Sequence, residues 1–258
     1  MNVVVTGASA GIGLGIAKAF ADAGHNVWSL SRSSPPDGRI KHIACDISTR
    51  ENVEKAFEQI ERVDILVNNA GIGIGGAGEF TSERDMKEIF DVNFFGAVAC
   101  SQCVIPKMRA QGGGRIIFIS SVGAIFTLPF QSFYSATKTA INSFAEGLAM
   151  ELEPFNIKVG VILPGDIRSN FTRNRKKDFQ GEDIYNGRIA RGLATMEKDE
   201  RNGPPAEGAG RVIAKCITKK RLKLHRVIGM KYKCLCMLDV ILPRSVVIWL
   251  LSKMYGGN

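Results

Sequence analysis

Asn2 to Gly13 reads NVVVTGASAGIG. The valine run is the pattern of a strand buried on both faces. Three glycines follow at 7, 11 and 13, and then the helical pattern LGIAKAFADAG. Glycines between a strand and a helix permit a tight turn. They also let the backbone come close to a pyrophosphate, where the free N–H groups of the helix start point outward. Gly7, Ser9, Gly11, Ile12 and Gly13 are therefore candidate contacts for a dinucleotide. One such turn is a weak signal, and its context must supply the weight.

The context is an alternation of strands and helices. Strands are expected at about 2–6, 27–31, 41–46, 64–68, 115–120, 157–163 and 225–229. Helices are expected at about 11–23, 50–60, 82–111 (broken), 134–153, 204–218 and 243–255. This alternation predicts a parallel sheet covered by helices on both faces. No repeat or linker divides the chain, so residues 1–258 form one domain. Within it, 1–164 would be the dinucleotide-binding and catalytic core, 165–203 a substrate-binding loop and 230–258 an apolar tail. Only about nine residues, RSSPPDGRI, join the second and third strands. A parallel crossover needs a dozen or more, so the helix there is absent or reduced to a turn. The stretch from Asp166 to Gly203 reads as irregular, a functional lid or a partly disordered segment.

The composition, 45% hydrophobic and 23% charged, suits an ordinary globular protein. Charge is uneven: 14 basic and 16 acidic residues precede Gly165, whereas 20 basic and 9 acidic follow from it. That excess suits an anionic ligand, nucleic acid or a membrane surface, and equally a solvated face. No nucleic-acid recognition motif accompanies it, so nucleic acid is not an expected partner. Cys100 and Cys103 form a CxxC inside an apolar helical stretch with no second pair, so no metal is expected. The first residues run directly into a strand, and the expected location is cytoplasmic.

The chemistry centres on SFYSATK, Ser132 to Lys138. Tyr134 and Lys138 lie one helical turn apart. A phenol ionises near pH ~10, and a neighbouring ammonium should lower that value. At the end of the second strand, VWSLSRSS holds Ser31 and Arg32 with no carboxylate before Asp37. An acid there suits a ribose hydroxyl, whereas an arginine suits a 2′-phosphate. NADP(H) is the expected cofactor.

Six motifs stand in order: TGASAGIG, NNAG (68–71), VNFFG (92–96), SS (120–121), YSATK (134–138) and PGDI (164–167). Together they resemble the classical short-chain dehydrogenase/reductase family, over residues 1 to about 165 and more loosely to about 230. The resemblance implies a Rossmann-type, doubly wound parallel sheet of about seven strands. It implies a catalytic set of Asn93, Ser121, Tyr134 and Lys138. Tyr134 would exchange a proton with the substrate oxygen, Ser121 would hydrogen-bond that oxygen, Lys138 would hold the nicotinamide ribose, and Asn93 would hold a water for a proton relay. Asp46 and Ile47 would meet the adenine. Asn69, Ala70 and Gly71 would pass beside its ribose. Pro164, Gly165 and Ile167 would line the nicotinamide, with Ser169 where the family often has threonine. GIGIGGAG (71–78) is expected to be a flexible loop.

The family activity implied is interconversion of a secondary alcohol and a ketone. FAEGLAMELEPFNIKV favours the hydroxysteroid and retinol branches, and with the apolar tail a bulky apolar or amphipathic substrate of hydroxysteroid or lipid type. A 3-oxoacyl thioester reductase is the competing enzyme reading, and a non-catalytic dinucleotide sensor the competing class. The tail CLCMLDVILPRSVVIWLLSKMY contains no clean apolar run long enough to span a bilayer. Three roles stay open for it: a cap on the substrate pocket or a contact in a homodimer or homotetramer, peripheral membrane contact, or core packing.

Overall fold

The computed structural model describes residues 1–256; the last two residues of the expected tail lie outside them. Seven parallel strands form one sheet: β1 (Asn2–Thr6), β2 (Asn26–Ser31), β3 (Ile40–Ala44), β4 (Ile65–Asn68), β5 (Gly114–Ile119), β6 (Ile157–Pro164) and β7 (His225–Ile228). Their order is β3-β2-β1-β4-β5-β6-β7. The chain reverses its direction of winding between β1 and β4, which opens a crevice at the carboxyl ends of those strands. Val3 pairs with Val27 on one side and with Ile65 on the other.

Helices α1 (Gly11–Asp22), α2 (Arg50–Glu58), α3 (Glu83–Phe90), α4 (Gly96–Ala110), α5 (Ser132–Leu152), α6 (Asn170–Asn174), α7 (Arg188–Asn202), α8 (Ala206–Ile217), α9 (Met230–Ile241) and α10 (Arg244–Tyr255) surround the sheet. Successive strand residues feed opposite layers, as the two-residue strand period requires. Val4, Leu66, Ile116 and Phe118 join α2, α4 and α5 in one core layer. Val3, Val5, Val67 and Ile117 join α1 and α8 in the other. The α1–α8 contact is backbone to backbone. A Cβ on Gly15 would lie 2.8 Å from the Ala206 carbonyl oxygen, and one on Gly210 would collide with the Gly15 backbone.

The expected short link is found, with no helix between β2 and β3. The expected break in the third helix is found as well. Between α3 and α4 the chain makes a π-helical turn, Asp91–Phe95, a widening common at functional sites. The whole run Glu83–Ala110 is long and apolar enough to cross a membrane. Ile89, Cys100, Val104 and Met108 are nevertheless fully buried, which makes it a core element. Cys100 and Cys103 are free thiols.

Two expectations need correction. The segment 166–203 is more ordered than an irregular lid: it contains α6, the long α7 and a short ladder pairing Lys176–Lys177 with Ile74–Gly75. GIGIGGAG is not a flexible loop. Gly73, Ile74, Gly75 and Gly76 are buried. Added Cβ atoms would meet Phe171 at 2.9 Å from Gly73 and the Asp178 carbonyl at 2.7 Å from Gly76. The glycines there serve close approach of two backbones rather than motion.

Candidate active site

The turn after β1 has the geometry its glycines suggested. Gly7 and Gly11 adopt φ of 66° and 60°, where a side chain is strained. A Cβ on Gly13 would collide with the Asn69 amide and lie 2.5 Å from the Gly7 carbonyl oxygen. The fully buried Thr6 hydroxyl accepts hydrogen bonds from the backbone N–H groups of Asn69 (2.9 Å) and Ala70 (3.0 Å). The Asn69 amide in turn donates to the Thr6 carbonyl at 3.0 Å. The ends of β1 and β4, the two walls of the crevice, are thereby fixed to each other. Thr6 was not among the expected site residues; its only sequence signal was its place just before Gly7.

A cavity of about 710 Å³ begins at this turn, lined by Gly7, Ser9, Gly11, Ile12, Asn69, Ala70 and Gly71. Gly13 lies behind the turn and shapes it. At one end the cavity meets Ser31, Arg32, Asp46 and Ile47. The Ser31 hydroxyl is committed locally: it donates to the Ser33 carbonyl at 2.8 Å and lies 2.8 Å from the Ser29 hydroxyl. Arg32 is exposed at the rim and makes no ion pair among the described residues. The nearby Asp37 is bound to Arg39 at 2.7 Å, and those hydrogen bonds hold its carboxyl down at about 2. Asp46 accepts from the Ser48 N–H and hydroxyl, at 3.0 and 2.8 Å, stiffening the turn after β3.

The cavity continues to Ser121, Tyr134 and Lys138. Ser121 begins the turn after β5, and its hydroxyl accepts from the Gly123 N–H at 3.0 Å. The same hydroxyl lowers the pKa of the Tyr134 phenol, which stands on the first turn of α5. The Tyr134 ring leans on Phe171, with centroids 5.6 Å apart. One turn later Lys138 is buried; its ammonium donates to the Ile119 carbonyl at 3.0 Å and lies 5.7 Å from the Tyr134 ring centroid. The Ser120 hydroxyl donates to the Lys138 carbonyl at 3.2 Å, which ties α5 to the end of β5.

The electrostatics run opposite to the expectation for this pair. Burial pushes the Tyr134 phenol up to about 12, and the Ser121 hydrogen bond only partly offsets it. Burial also brings Lys138 down to about 8. Desolvation disfavours both charged forms and is the largest cause for each.

Asn93 sits on the π-turn and is buried. Its carbonyl accepts from the Ile72 N–H at 2.8 Å, while its amide donates to the Ile72 carbonyl (3.0 Å) and the Thr137 hydroxyl (3.1 Å). Both amide hydrogens are spent, so its side chain clasps the 71–73 segment to α5. Gly71 makes room for this: a Cβ there would lie 3.1 Å from Asn93 Oδ1 and 3.6 Å from Lys138 Nζ.

Beyond Tyr134 the walls are Pro164, Gly165, Ile167, Ser169 and Phe171. Ser169 caps α6, accepting from the Phe171 N–H at 3.2 Å. The far wall comes from α9 and α10, the tail for which a cap on the substrate pocket was one expected role: Tyr232, Leu235, Leu238, Leu242, Leu250 and Met254. Tyr232 rests on Gly165, where no Cβ would fit, and donates to the Asp166 carboxylate. Tyr255 donates to Asp199 at 2.8 Å. The tail therefore does close over the pocket.

A nicotinamide dinucleotide fits these residues. The left-handed glycine cradle, the arginine at one end and the Ser121–Tyr134–Lys138 group at the other share one continuous cavity. The short chain dehydrogenase family model matches residues 1–180, and the chain belongs to that family. It is 38% identical to a 3-ketodihydrosphingosine reductase of Bacteroides thetaiotaomicron, over 88% of this chain and 87% of that protein. It is 31% identical to the 3-oxoacyl-[acyl-carrier-protein] reductase MabA of Mycobacterium bovis, over 81% and 82% respectively. Among solved structures, a short-chain dehydrogenase from Streptomyces avermitilis superposes with a TM-score of 0.78 at 29% identity, covering 93% of this chain and 92% of that one. The protein is a short-chain oxidoreductase, and its cofactor is a nicotinamide dinucleotide.

Proposed function

We propose that the protein is an NADP(H)-dependent reductase of a long-chain ketone, of the kind represented by a 3-keto sphingoid base. The observation that carries this reading is the single cavity that joins the Tyr134 centre to an apolar wall built from α9 and α10. Leu235, Leu238, Leu242, Leu250 and Met254 offer an alkyl chain a surface, whereas a small polar substrate would leave them wet. The similarity to a 3-ketodihydrosphingosine reductase supports the long-chain ketone over a hydroxysteroid.

Asn93, Ser121, Tyr134 and Lys138 are the proposed catalytic set. The bound cofactor supplies the hydride. Tyr134, protonated throughout the neutral range because burial holds its phenol near 12, donates its proton to the ketone oxygen. Ser121 donates a hydrogen bond to the same oxygen and fixes it beside the phenol. Lys138 holds the ribose of the nicotinamide, and Asn93 keeps α5 and the 71–73 segment in register. Arg32 binds the 2′-phosphate, helped by the absence of any carboxylate on that rim other than Asp46. Gly7, Ser9, Gly11 and Ile12 hold the pyrophosphate, and Asp46 and Ile47 the adenine. A protonated phenol and a phosphate-seeking arginine both suit reduction. The proposed setting is the cytoplasm, with the chain acting as a homodimer or homotetramer.

The similarity to MabA favours a second reading, a 3-oxoacyl thioester reductase. The test is NADPH oxidation with 3-ketodihydrosphingosine, a long-chain 3-oxoacyl thioester and a 3-ketosteroid in parallel, with NADH as control. Turnover of the first by at least roughly tenfold over the others is expected, the scale of a substrate filling a matched apolar pocket. Preference for the thioester would replace the first reading by the second.

A further inference from the structure

Helices α9 and α10 carry apolar side chains on more than one side, beside a few charged ones. Such a helix belongs in a protein core or in contact with lipid, yet α9 has no buried residue and α10 only Val247. Their inner sides are explained: Tyr232, Leu235, Leu238 and Leu242 recur at helical spacing toward the cavity, as do Val247, Leu250, Leu251 and Met254. Their outer sides are not. Met237 is 69% exposed, Val240 86%, Ile241 77%, Ile248 56% and Trp249 58%, and none of these lines the cavity. They are exposed apolar side chains on two consecutive helices, which marks an interaction surface.

Charge selects the occupant. From Met230 to Gly256 the chain carries four basic residues, Lys231, Lys233, Arg244 and Lys253, and one acidic residue, Asp239, which is spent on Arg244 at 3.0 Å. Lys233 and Lys253, on the two helices themselves, are exposed and make no ion pair among the described residues. A second copy docked on this face would bring lysines against lysines. An anionic lipid surface would take both the apolar side chains and the surrounding ammonium groups.

We propose that the α9–α10 pair of helices docks on an anionic membrane surface, and that its inner face receives the alkyl chain of the substrate directly from the lipid. Leu250 and Met254 are both exposed and cavity-lining, so one apolar path leads from the outer face to Tyr134. The pair of helices is held at both ends, by Tyr232 on Gly165 and Asp166 and by Arg188, whose guanidinium donates to the Gly256 carbonyl at 2.7 Å. It is thus a fixed platform. The delivery step rests on the long-chain ketone reading; the docking step does not.

The experiment uses the full chain and phosphatidylcholine vesicles with and without phosphatidylglycerol. Expected is co-sedimentation with the phosphatidylglycerol vesicles that weakens as salt rises. The double variant Val240→Glu/Ile241→Glu should lose at least about tenfold in vesicle partitioning, the order expected for removing two buried aliphatic side chains. Circular dichroism and NADPH binding check that it is folded. Turnover of a short, water-soluble ketone should be unchanged in the variant, while turnover of the long-chain ketone embedded in vesicles should fall several-fold. Vesicle binding without turnover of any long-chain ketone would leave the docking intact and sink the substrate reading. Absence of binding to both vesicle types would overturn the docking. So would a shift from dimer to monomer in the variant without vesicle binding, which would assign the face to a second copy.

Discussion

Replacing Lys138 by methionine should make the protein more stable and less able to bind its cofactor. Lys138 is 5% exposed, and burial lowers its pKa from 10.5 to about 8. At about 1.4 kcal/mol per pH unit, holding the ammonium in that site costs about 3 kcal/mol. Methionine fills a similar volume without the charge. The hydrogen bond to Ile119 is lost, at about 1 kcal/mol, which leaves a net gain of about 2 kcal/mol. For a domain of this size that is a rise in Tm of about 4–8 °C. The pH dependence is the sharper check. Below pH 8 the lysine is charged in both the folded and the unfolded chain, so the full cost is present. Between pH 8 and 10.5 the unfolded chain alone keeps the proton, so native stability rises with pH and the advantage of the variant shrinks. Thermal unfolding of Lys138→Met and native protein at intervals from pH 7 to 10.5 measures both. A variant no more stable at pH 7, or an advantage independent of pH, would refute the account of the site as dominated by desolvation.

Tyr134→Phe should lower kcat by about 10²–10⁴, the usual worth of a positioned proton donor, while NADPH titrated by fluorescence binds as before; retained turnover would remove the phenol from the mechanism. Arg32→Asp should weaken NADPH by about tenfold to a hundredfold, the loss of one charged hydrogen-bonding partner, and leave NADH little changed. Equal losses for both would place the phosphate elsewhere. Thr6→Val keeps the shape and removes the acceptor shared by Asn69 and Ala70, so denaturant unfolding should show a loss of about 2–3 kcal/mol. A neutral outcome would mean that the β1–β4 clasp is held by the Asn69 amide alone.

The seven strands and the Gly7–Gly13 turn were legible because each rests on a local pattern: β-branched runs with glycine between strand and helix. The pairing of Tyr134 with Lys138 was legible for the same reason, being one turn of a helix. The direction of their pKa shifts was not. Helical spacing reveals the ammonium near the phenol but not the depth at which both are buried, and burial decides the sign. Nor was α7 legible within 166–203, since its apolar positions Ile189, Leu193 and Met196 face a small separate core with Phe130 rather than the sheet. The glycines of 71–78 signalled a loop because sequence alone cannot distinguish a glycine that bends from one that admits a neighbour. The tail left three roles open, the pocket cap among them, for a related reason. Two apolar faces on one helix cancel the periodicity that would have named the inner one.

The glycine contact between α1 and α8 sets a condition on how this enzyme can be made. The helix that follows the cofactor turn lies against residues 206–217, near the far end of the chain. Ile16, Ala17 and Phe20 are covered there by Ile213, Ala214 and Ile217. A ribosome releasing the first 180 residues would have delivered most of the cofactor-binding residues but not Ile213, Ala214, Cys216 and Ile217, which cover α1. Cofactor capture is therefore a late event in the life of the nascent chain. A fragment ending at residue 180 would expose the Ile16–Phe20 face to other proteins before it could hold a nucleotide.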